Sequence, residues 1–203
     1  MRRRAVPHVR RAAEGVVVAS LCVLTSSVAG TAAAAPRVSA TNHHVYVVGD
    51  SVLLGAEQTL PATLSGWRVT MNCVGSRRLP QAIGVLKANR SHLGAVVVIQ
   101  MGNNYIPGED GTFASQIDKA MRVMRDVRRV VWVTVAEKWS SRVMINNAIR
   151  KAASRWPTMR IADWARVIAA HPGYAGDMLH LSPSGRVAMA RLIARKVGPP
   201  PSS

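Results

Sequence analysis

Cysteine is almost absent from the chain, which holds only Cys22 and Cys73 among its 203 residues. Cys22 lies in an amino-terminal segment that we expect to be removed, so the remaining chain cannot form an intrachain disulfide. Cys73, without a partner, is typical of a small buried apolar residue rather than a reactive thiol. No cluster of His, Cys and Asp has the spacing of metal ligands either, so the sequence predicts neither a metal site nor a cofactor.

Acidic residues are also scarce: ten Asp and Glu stand against 27 Lys and Arg, a formal charge of +17. Such an excess suggests nucleic-acid binding, but no basic stripe interleaved with aromatic residues accompanies it. We therefore expect no nucleic-acid partner, and instead a solvated basic surface that is attracted to an anionic cell envelope. The chain also lacks any Gly-x-Ser-x-Gly segment, which argues against an α/β-hydrolase nucleophile elbow.

The first 35 residues have the organisation of a secretory signal peptide. A basic region with five arginines precedes an apolar stretch at 16–24, and small residues end the segment. The apolar stretch is short for a membrane span of about 20 residues, so a cleaved signal is favoured over an uncleaved anchor. We expect cleavage after Ala34 or Ala35, which leaves 22 basic and nine acidic residues, a formal charge of +13. The mature protein is then secreted or held outside the cytoplasm at the cell envelope.

The rest of the chain is long enough for one domain, which we place at 43–197, after a linker at 36–42 and before a disordered tail at 198–203. Strand and helix patterns alternate five times in this domain without any repeat. This alternation predicts an α/β protein with three α/β/α layers and a five-stranded parallel sheet of flavodoxin-like order 2-1-3-4-5. We also expect a monomer.

The individual elements follow from apolar patterning and from helix-capping residues. Residues 53–64 are predicted as a helix that Pro61 bends or ends early. Thr112 and Ser182 are predicted to cap later helices. His43 and His44 precede the first strand at the end remote from its glycine, so we expect both at the surface. The five predicted strands cover residues 43–49, 67–72, 95–101, 130–135 and 159–162.

Small and polar residues follow the strands and precede the last helix in four short segments. These segments are Gly49-Asp50-Ser51, Asn72-Cys73-Val74-Gly75, Gly102-Asn103-Asn104 and Asp177-Met178-Leu179-His180. Ligands of parallel α/β sheets bind outside the carboxyl ends of the strands, so we expect all four segments on one rim. Taken alone, Asp50 or Ser51 could simply cap the next helix.

The residue types on this rim suit acyl transfer. Serine is a weak nucleophile unless a base takes its proton, and His180 can act as that base for Ser51. Asp177 lies three residues before His180 and can hold its ring. The backbone N–H groups of Ser51 and Gly75 and the side-chain amide of Asn104 can donate to a developing oxyanion.

Together the four segments resemble the SGNH (GDSL-type) hydrolase family, and the resemblance covers residues 45–196. It implies Ser51 as nucleophile, His180 as base, Asp177 as its orienting partner, and Gly75 and Asn104 as oxyanion donors. The segment Gly-Asp-Ser-Val-Leu-Leu-Gly looks most like the SGNH domains attached to, or working beside, membrane acyltransferases of bacterial envelopes. Many family members have an aspartate where this chain has Tyr105, and the segment after Gly75 also departs from the family pattern.

We therefore predict a serine esterase that acts on short, acetyl-like esters of small molecules or glycans. No long insertion builds a deep apolar groove, and Tyr105 and Trp139 are predicted to line a small pocket, although Trp139 could equally be a packing residue. Two alternatives stay open: acyl transfer to an envelope polysaccharide, and a non-catalytic domain that binds envelope glycans. The intact set of Ser51, Asp177 and His180 argues against the non-catalytic alternative.

Overall fold

The computed structural model describes residues 43–136 and 140–201. Five parallel strands form a single sheet of order β2-β1-β3-β4-β5, so the predicted fold class and strand order are confirmed. The predicted signal peptide and linker lie outside the described residues and stay predictions. The strands are β1 (His44–Gly49), β2 (Arg68–Cys73), β3 (Val96–Gln100), β4 (Arg129–Val133) and β5 (Met159–Ala162).

Helices cover both faces of the sheet. Alternate residues of β1 point to opposite faces of the sheet. Tyr46 and Val48 lie in the core on the face that the helices at 79–88, 113–123 and 140–155 cover, and Val45 and Val47 lie in the core on the other face. Within the described residues, none of the helices combines the length and the apolar character needed to cross a membrane. The helices are α1 (Ser51–Leu54), α2 (Thr59–Thr63), α3 (Leu79–Ala88), α4 (Phe113–Val123), α5 (Ser140–Arg155), α6 (Trp164–Ala170) and α7 (Pro183–Val197), with 3₁₀ turns at Arg90–His92 and Pro172–Tyr174.

The two predicted helix caps are present. The Thr112 side chain accepts a hydrogen bond from the Ser115 N–H, and the Ser182 side chain accepts one from the Gly185 N–H. These bonds satisfy N–H groups that a helix leaves without an internal partner in its first turn. The cap at Ser182 lies directly after the segment that carries His180, because α7 begins at Pro183.

The single helix predicted at 53–64 is wrong, since α1 and α2 are separated by a turn at 55–58. Pro61 consequently lies in the first turn of α2, where a missing N–H costs no bond inside the helix. In one continuous helix the same proline would stand deep in the interior and remove a backbone hydrogen bond. The break therefore falls before Pro61 rather than at it.

The predicted surface position of His44 is also wrong. His44 is the first residue of β1 and is 5% exposed, and its Nε2 lies 2.9 Å from Thr70 Oγ1 on the neighbouring strand. Burial, together with the charge of Arg68, lowers the pKa of this imidazole. The cause is topology: β1 lies between β2 and β3, so even its first residue is covered on both sides.

Candidate active site

The carboxyl ends of three strands meet at one level of the sheet. Gly49 is in register with Cys73 of β2 on one side and with Gln100 of β3 on the other. The Val74 N–H donates to the Gly49 carbonyl at 3.2 Å, which holds the turn after β2 against the end of β1. The loops that follow the three strands therefore leave the sheet side by side.

Gly49 makes room for the tight turn into α1. A Cβ at this position would lie 2.7 Å from Leu53 Cβ and 2.8 Å from Cys73 Sγ. Asp50 then caps α1, because its Oδ1 accepts a hydrogen bond of 2.9 Å from the Val52 N–H. Ser51, the first residue of α1, is not the cap, so its hydroxyl is available for another partner.

That partner is His180. Its Nε2 lies 3.0 Å from Ser51 Oγ, and its Nδ1 lies 2.7 Å from Asp177 Oδ2. Asp177 also accepts backbone hydrogen bonds from His180 and Leu179 through Oδ1, at 2.6 and 3.1 Å. These hydrogen bonds, first of all the one from the His180 ring, hold the pKa of the Asp177 carboxyl well below its usual range. An ionised Asp177 favours the tautomer with a proton on Nδ1, which leaves Nε2 to accept the proton of Ser51.

Two of the predicted oxyanion donors come from the neighbouring loops. Gly75 lies exposed in the turn after β2, and the Asn104 amide donates one hydrogen bond of 3.3 Å to the Arg77 carbonyl. An amide nitrogen carries two hydrogens, so Asn104 can donate the second to an oxyanion. The structure thus places Gly75 and Asn104 on loops that flank the end of β1, and their catalytic role stays a prediction.

A buried arginine, which the sequence analysis did not single out, supports the turn that contains Gly75. Arg77 is 8% exposed and donates to both the backbone carbonyl and the side-chain oxygen of Asn72, the latter at 2.8 Å. Its guanidinium also reaches the Gly49 carbonyl at 3.5 Å. The only sign of this role in the sequence is that Arg77 follows Gly75 by two positions. The burial of its side chain depends on tertiary packing, which residue spacing does not reveal.

A second set of contacts missed from the sequence joins Asp50 to the loop after β3. The Asn103 amide donates to Asp50 Oδ2 at 3.0 Å, so Asn103 is more than the turn residue that its position suggested. Arg142, in the first turn of α5, donates to the Gly102 carbonyl in the same loop. Burial raises the pKa of Asp50 to about 6, and the charge of Arg142 opposes that rise. No sequence motif links these residues, because Arg142 follows Gly102 by 40 positions.

The two predicted pocket residues differ in what the structure shows. Tyr105 packs edge-to-face on Phe113, with ring centroids 5.3 Å apart, so part of its ring belongs to the core. Ile106 follows it and is 49% exposed at the same rim. Trp139 lies outside the described residues. A pocket role for Tyr105 and Trp139 therefore stays a prediction.

Neither a metal centre nor a reactive thiol stands out near the rim. Across the described parts of the chain, no group of three or more His, Cys, Asp and Glu side chains could hold a metal ion. Cys73 lies at the end of β2, and burial raises the pKa of its thiol to about 12. Such a thiol remains protonated at neutral pH, so it is a poor nucleophile.

The fold and the rim together define a class: an α/β/α domain in which a serine after the first strand meets a histidine and an aspartate from the loop before the last helix. No protein-family model and no curated protein matches the chain. Among solved structures, the catalytic domain of peptidoglycan O-acetyltransferase A from Streptococcus pneumoniae matches with a TM-score of 0.64 and 24% identity, over 76% of this chain and 92% of that one.

Two further solved structures are similar in fold. A GDSL-like lipase from Bacteroides thetaiotaomicron has a TM-score of 0.60 and 17% identity, over 74% of this chain and 85% of that one. A carbohydrate esterase family 3 protein from Talaromyces cellulolyticus has a TM-score of 0.58 and 17% identity, over 76% and 95% of the two chains. The fold of this chain is that of the SGNH (GDSL-type) hydrolases, as the sequence resemblance implied.

Proposed function

We propose that this protein is a serine esterase that transfers acyl groups through an acyl-enzyme on Ser51. The observation that carries the proposal is the chain of contacts from Ser51 Oγ to His180 Nε2 at 3.0 Å and from His180 Nδ1 to Asp177 Oδ2 at 2.7 Å. Similarity of fold to several esterases supports the same chemistry. No cofactor has a part in the proposed reaction.

Acylation begins when Ser51 Oγ attacks the carbonyl carbon of the ester and its proton passes to His180 Nε2. The carbonyl oxygen becomes an oxyanion, which accepts hydrogen bonds from the N–H groups of Ser51 and Gly75 and from the Asn104 amide. Asp177 stabilises the imidazolium that forms. The carbon–oxygen ester bond then breaks, and the leaving alkoxide takes the proton from His180, which yields the alcohol and an ester on Ser51.

Deacylation repeats these steps with a new nucleophile. His180 takes a proton from water or from a sugar hydroxyl, whose oxygen attacks the acyl carbon on Ser51, and the proton then returns to Ser51 Oγ. Water gives a free acid, and a sugar hydroxyl gives a new ester. The same site therefore supports hydrolysis and acyl transfer.

We propose short acyl groups as substrates. Three exposed apolar side chains border the rim: Val74 after β2, Ile106 after Asn104, and Met178 beside His180, at 52%, 49% and 62% exposure. Side chains on three short loops offer a shallow apolar surface for an acetyl-like group rather than a channel for a long chain. Faster turnover of p-nitrophenyl palmitate than of p-nitrophenyl acetate would contradict this proposal.

Acyl transfer to an envelope polysaccharide is the second candidate. The similarity to a peptidoglycan O-acetyltransferase catalytic domain favours it, and so does the predicted signal peptide, which would deliver the protein outside the cytoplasm. Addition of chitooligosaccharide to the reaction separates the two outcomes, because a transferase forms acetylated sugar and a hydrolase forms acetate alone. Amino-terminal analysis of protein recovered outside the cells tests the predicted cleavage.

The decisive experiment compares the purified protein with Ser51→Ala on p-nitrophenyl acetate. We expect turnover by the first and only background release by the second, together with a covalent adduct on Ser51 when a sulfonyl fluoride is added to the unmodified protein. Equal release by both proteins would leave a non-catalytic glycan-binding domain as the remaining explanation.

A further inference from the structure

A basic groove runs between α6 and α7 on the face of the sheet that also carries α1 and α2. Its volume is about 670 Å³. Three arginines and a histidine stand at its edges, and the lining contains no carboxylate. The four basic residues are Arg166, His171, Arg191 and Arg195.

Within the described part of the chain, the three arginines of the basic groove lack the ion pairs that several other arginines have. Among the described residues, no carboxylate forms an ion pair with Arg166, Arg191 or Arg195, whereas Arg78, Arg90 and Arg155 all have one. Arg191 and Arg195 are four positions apart on α7, so like charges face each other along the helix. Like charges at this spacing destabilise a helix. An external anion would relieve that repulsion.

The exposed ring of His171 is the aromatic surface that the basic groove offers to a sugar chain. The Tyr174 ring is already engaged, because it stacks on His171 with centroids 4.9 Å apart and on Trp164 with centroids 6.4 Å apart. Apolar side chains such as Val167 and Ala188 line the groove beside them. A concave lining of this kind fits a glycan better than it fits a flat membrane surface.

The basic groove borders the segment that carries Asp177 and His180. The Tyr174 carbonyl accepts a hydrogen bond of 2.9 Å from the Ser182 N–H, and Ala175 pairs with Leu181 in an antiparallel bridge. Both Asp177 and His180 lie within this short loop. A polymer seated in the basic groove therefore lies against Tyr174, at the start of the loop that positions the base for Ser51.

We propose that the basic groove binds an anionic glycan, with its arginines on the carboxylate or phosphate groups of the polymer that carries the ester. The part of this inference that concerns the ester rests on the proposed function, whereas binding of the anionic glycan does not. The substrate class becomes an acylated, negatively charged polysaccharide rather than a small neutral ester.

The binding test uses the Ser51→Ala protein, so that no ester is consumed, and measures calorimetric affinity for oligogalacturonate, for a glycerol phosphate oligomer and for neutral chitooligosaccharide. Replacing Arg166, Arg191 and Arg195 by glutamine should weaken binding of an anionic oligomer at least about tenfold, since three exposed charge pairs are lost together. The matched control replaces Lys87, Lys119 and Arg122 by glutamine, so it removes the same three charges. These residues line a separate concavity of about 460 Å³ next to α3 and α4.

The two anionic probes separate carboxylate from phosphate as the recognised group, and preference for either supports the inference. Equal loss in the groove variant and the control would show that only net charge matters and would overturn it. Binding to phosphatidylglycerol vesicles that needs the three arginines, without binding of either anionic oligomer, would overturn it in favour of a membrane. If the unmodified protein binds oligogalacturonate through the groove but fails to hydrolyse p-nitrophenyl acetate, the groove stands and the proposed function fails.

Discussion

Asp50 and Ser51 are neighbours in one turn, and their side chains have different tasks. The carboxylate of Asp50 is buried against the Val52 N–H and the Asn103 amide, whereas the Ser51 hydroxyl points to His180. A serine that capped α1 itself would hold its oxygen against a backbone N–H and would be a poorer nucleophile. Because Asp50 caps α1, the Ser51 hydroxyl can hydrogen-bond to His180.

The first prediction for a single residue concerns the substitution Asp177→Asn. An amide cannot stabilise the imidazolium and allows the wrong tautomer of His180, so kcat should fall by up to about 10⁴-fold with little change in KM. His180→Ala should cost about as much as Ser51→Ala, because the two residues act as one unit. The measurement is steady-state turnover of p-nitrophenyl acetate by the three variants. Retention of most of the activity by His180→Ala would show that another group is the base.

The second expectation concerns Asp50→Asn and pH. Burial raises the pKa of Asp50 in the folded protein from 3.8 to about 6, so the folded state binds this proton more tightly than the unfolded state does. The stability contributed by Asp50 is fully present below the unfolded pKa and is lost as pH rises through the folded pKa of about 6. Asparagine cannot ionise and does not lose this contribution. Relative to the unmodified protein, the variant should therefore gain about 2–3 kcal/mol of unfolding free energy between pH 4 and pH 7.

Urea unfolding at three pH values measures this difference, with Asp110→Asn, the same charge change on an exposed loop residue, as control. If the unfolding free energies of Asp50→Asn and of the unmodified protein change equally over this pH range, burial does not raise the pKa of Asp50 as the structure indicates.

At the scale of elements, Gly185 and Gly84 are both helical glycines in opposite surroundings. A Cβ on Gly185 would lie 2.0 Å from the Tyr174 carbonyl oxygen, whereas one on Gly84 meets nothing within 4 Å.

Gly185→Ala should cost about 1–3 kcal/mol through overpacking and should also lower kcat, since it pushes α7 away from the loop that carries His180. Gly84→Ala should stabilise by about 0.5–1 kcal/mol without changing turnover. Thermal unfolding and turnover of both variants test this, and equal stability of the two would contradict the close contact.

Strands and helix caps were predictable because their signals are local. The apolar run of β3 and the capping residues Thr112 and Ser182 specify their elements without reference to the rest of the chain. The helix α6 was not predicted, although Asp163 caps it, since its seven residues are too few for a clear apolar period. Contacts such as Asn103 with Asp50 lie 53 positions apart and arise only from strand order, so spacing alone cannot reveal them.

The four segments of the rim could be found for a related reason. Each stands at a strand or helix boundary, and a parallel sheet brings the carboxyl ends of its strands to one side. The sequence therefore predicted that Ser51, Asp177 and His180 approach each other, and the structure places them within hydrogen-bonding distance. Their supports, Arg77 and Arg142, are side chains with no motif, and only packing reveals them.

At the scale of the whole molecule, positive charge is in large excess. The formal charge is +17 for the whole sequence and +13 without the predicted signal peptide, and the few carboxylates of the domain are mostly engaged already, as in the pairs of Arg90 with Asp126 and Arg155 with Asp118. The remaining basic side chains repel each other across a compact domain, which lowers the stability of the folded state. If the basic groove binds an anionic glycan as proposed, the same charge attracts that polymer from a distance and speeds their encounter.

This excess leads to a salt dependence opposite to that of a protein held by surface ion pairs. Raising NaCl from about 20 to about 200 mM shortens the screening length to below about 10 Å, so it weakens repulsion between distant arginines more than it weakens close ion pairs. The melting temperature should rise by about 2–4 °C, which corresponds to about 1 kcal/mol for a domain of this size. Calorimetry at matched pH measures it. Replacing Lys87, Lys119 and Arg122 by glutamine should reduce the rise, because that variant has less repulsion to screen. A melting temperature that falls with salt would mean that the ion pairs contribute more to stability than the repulsion costs.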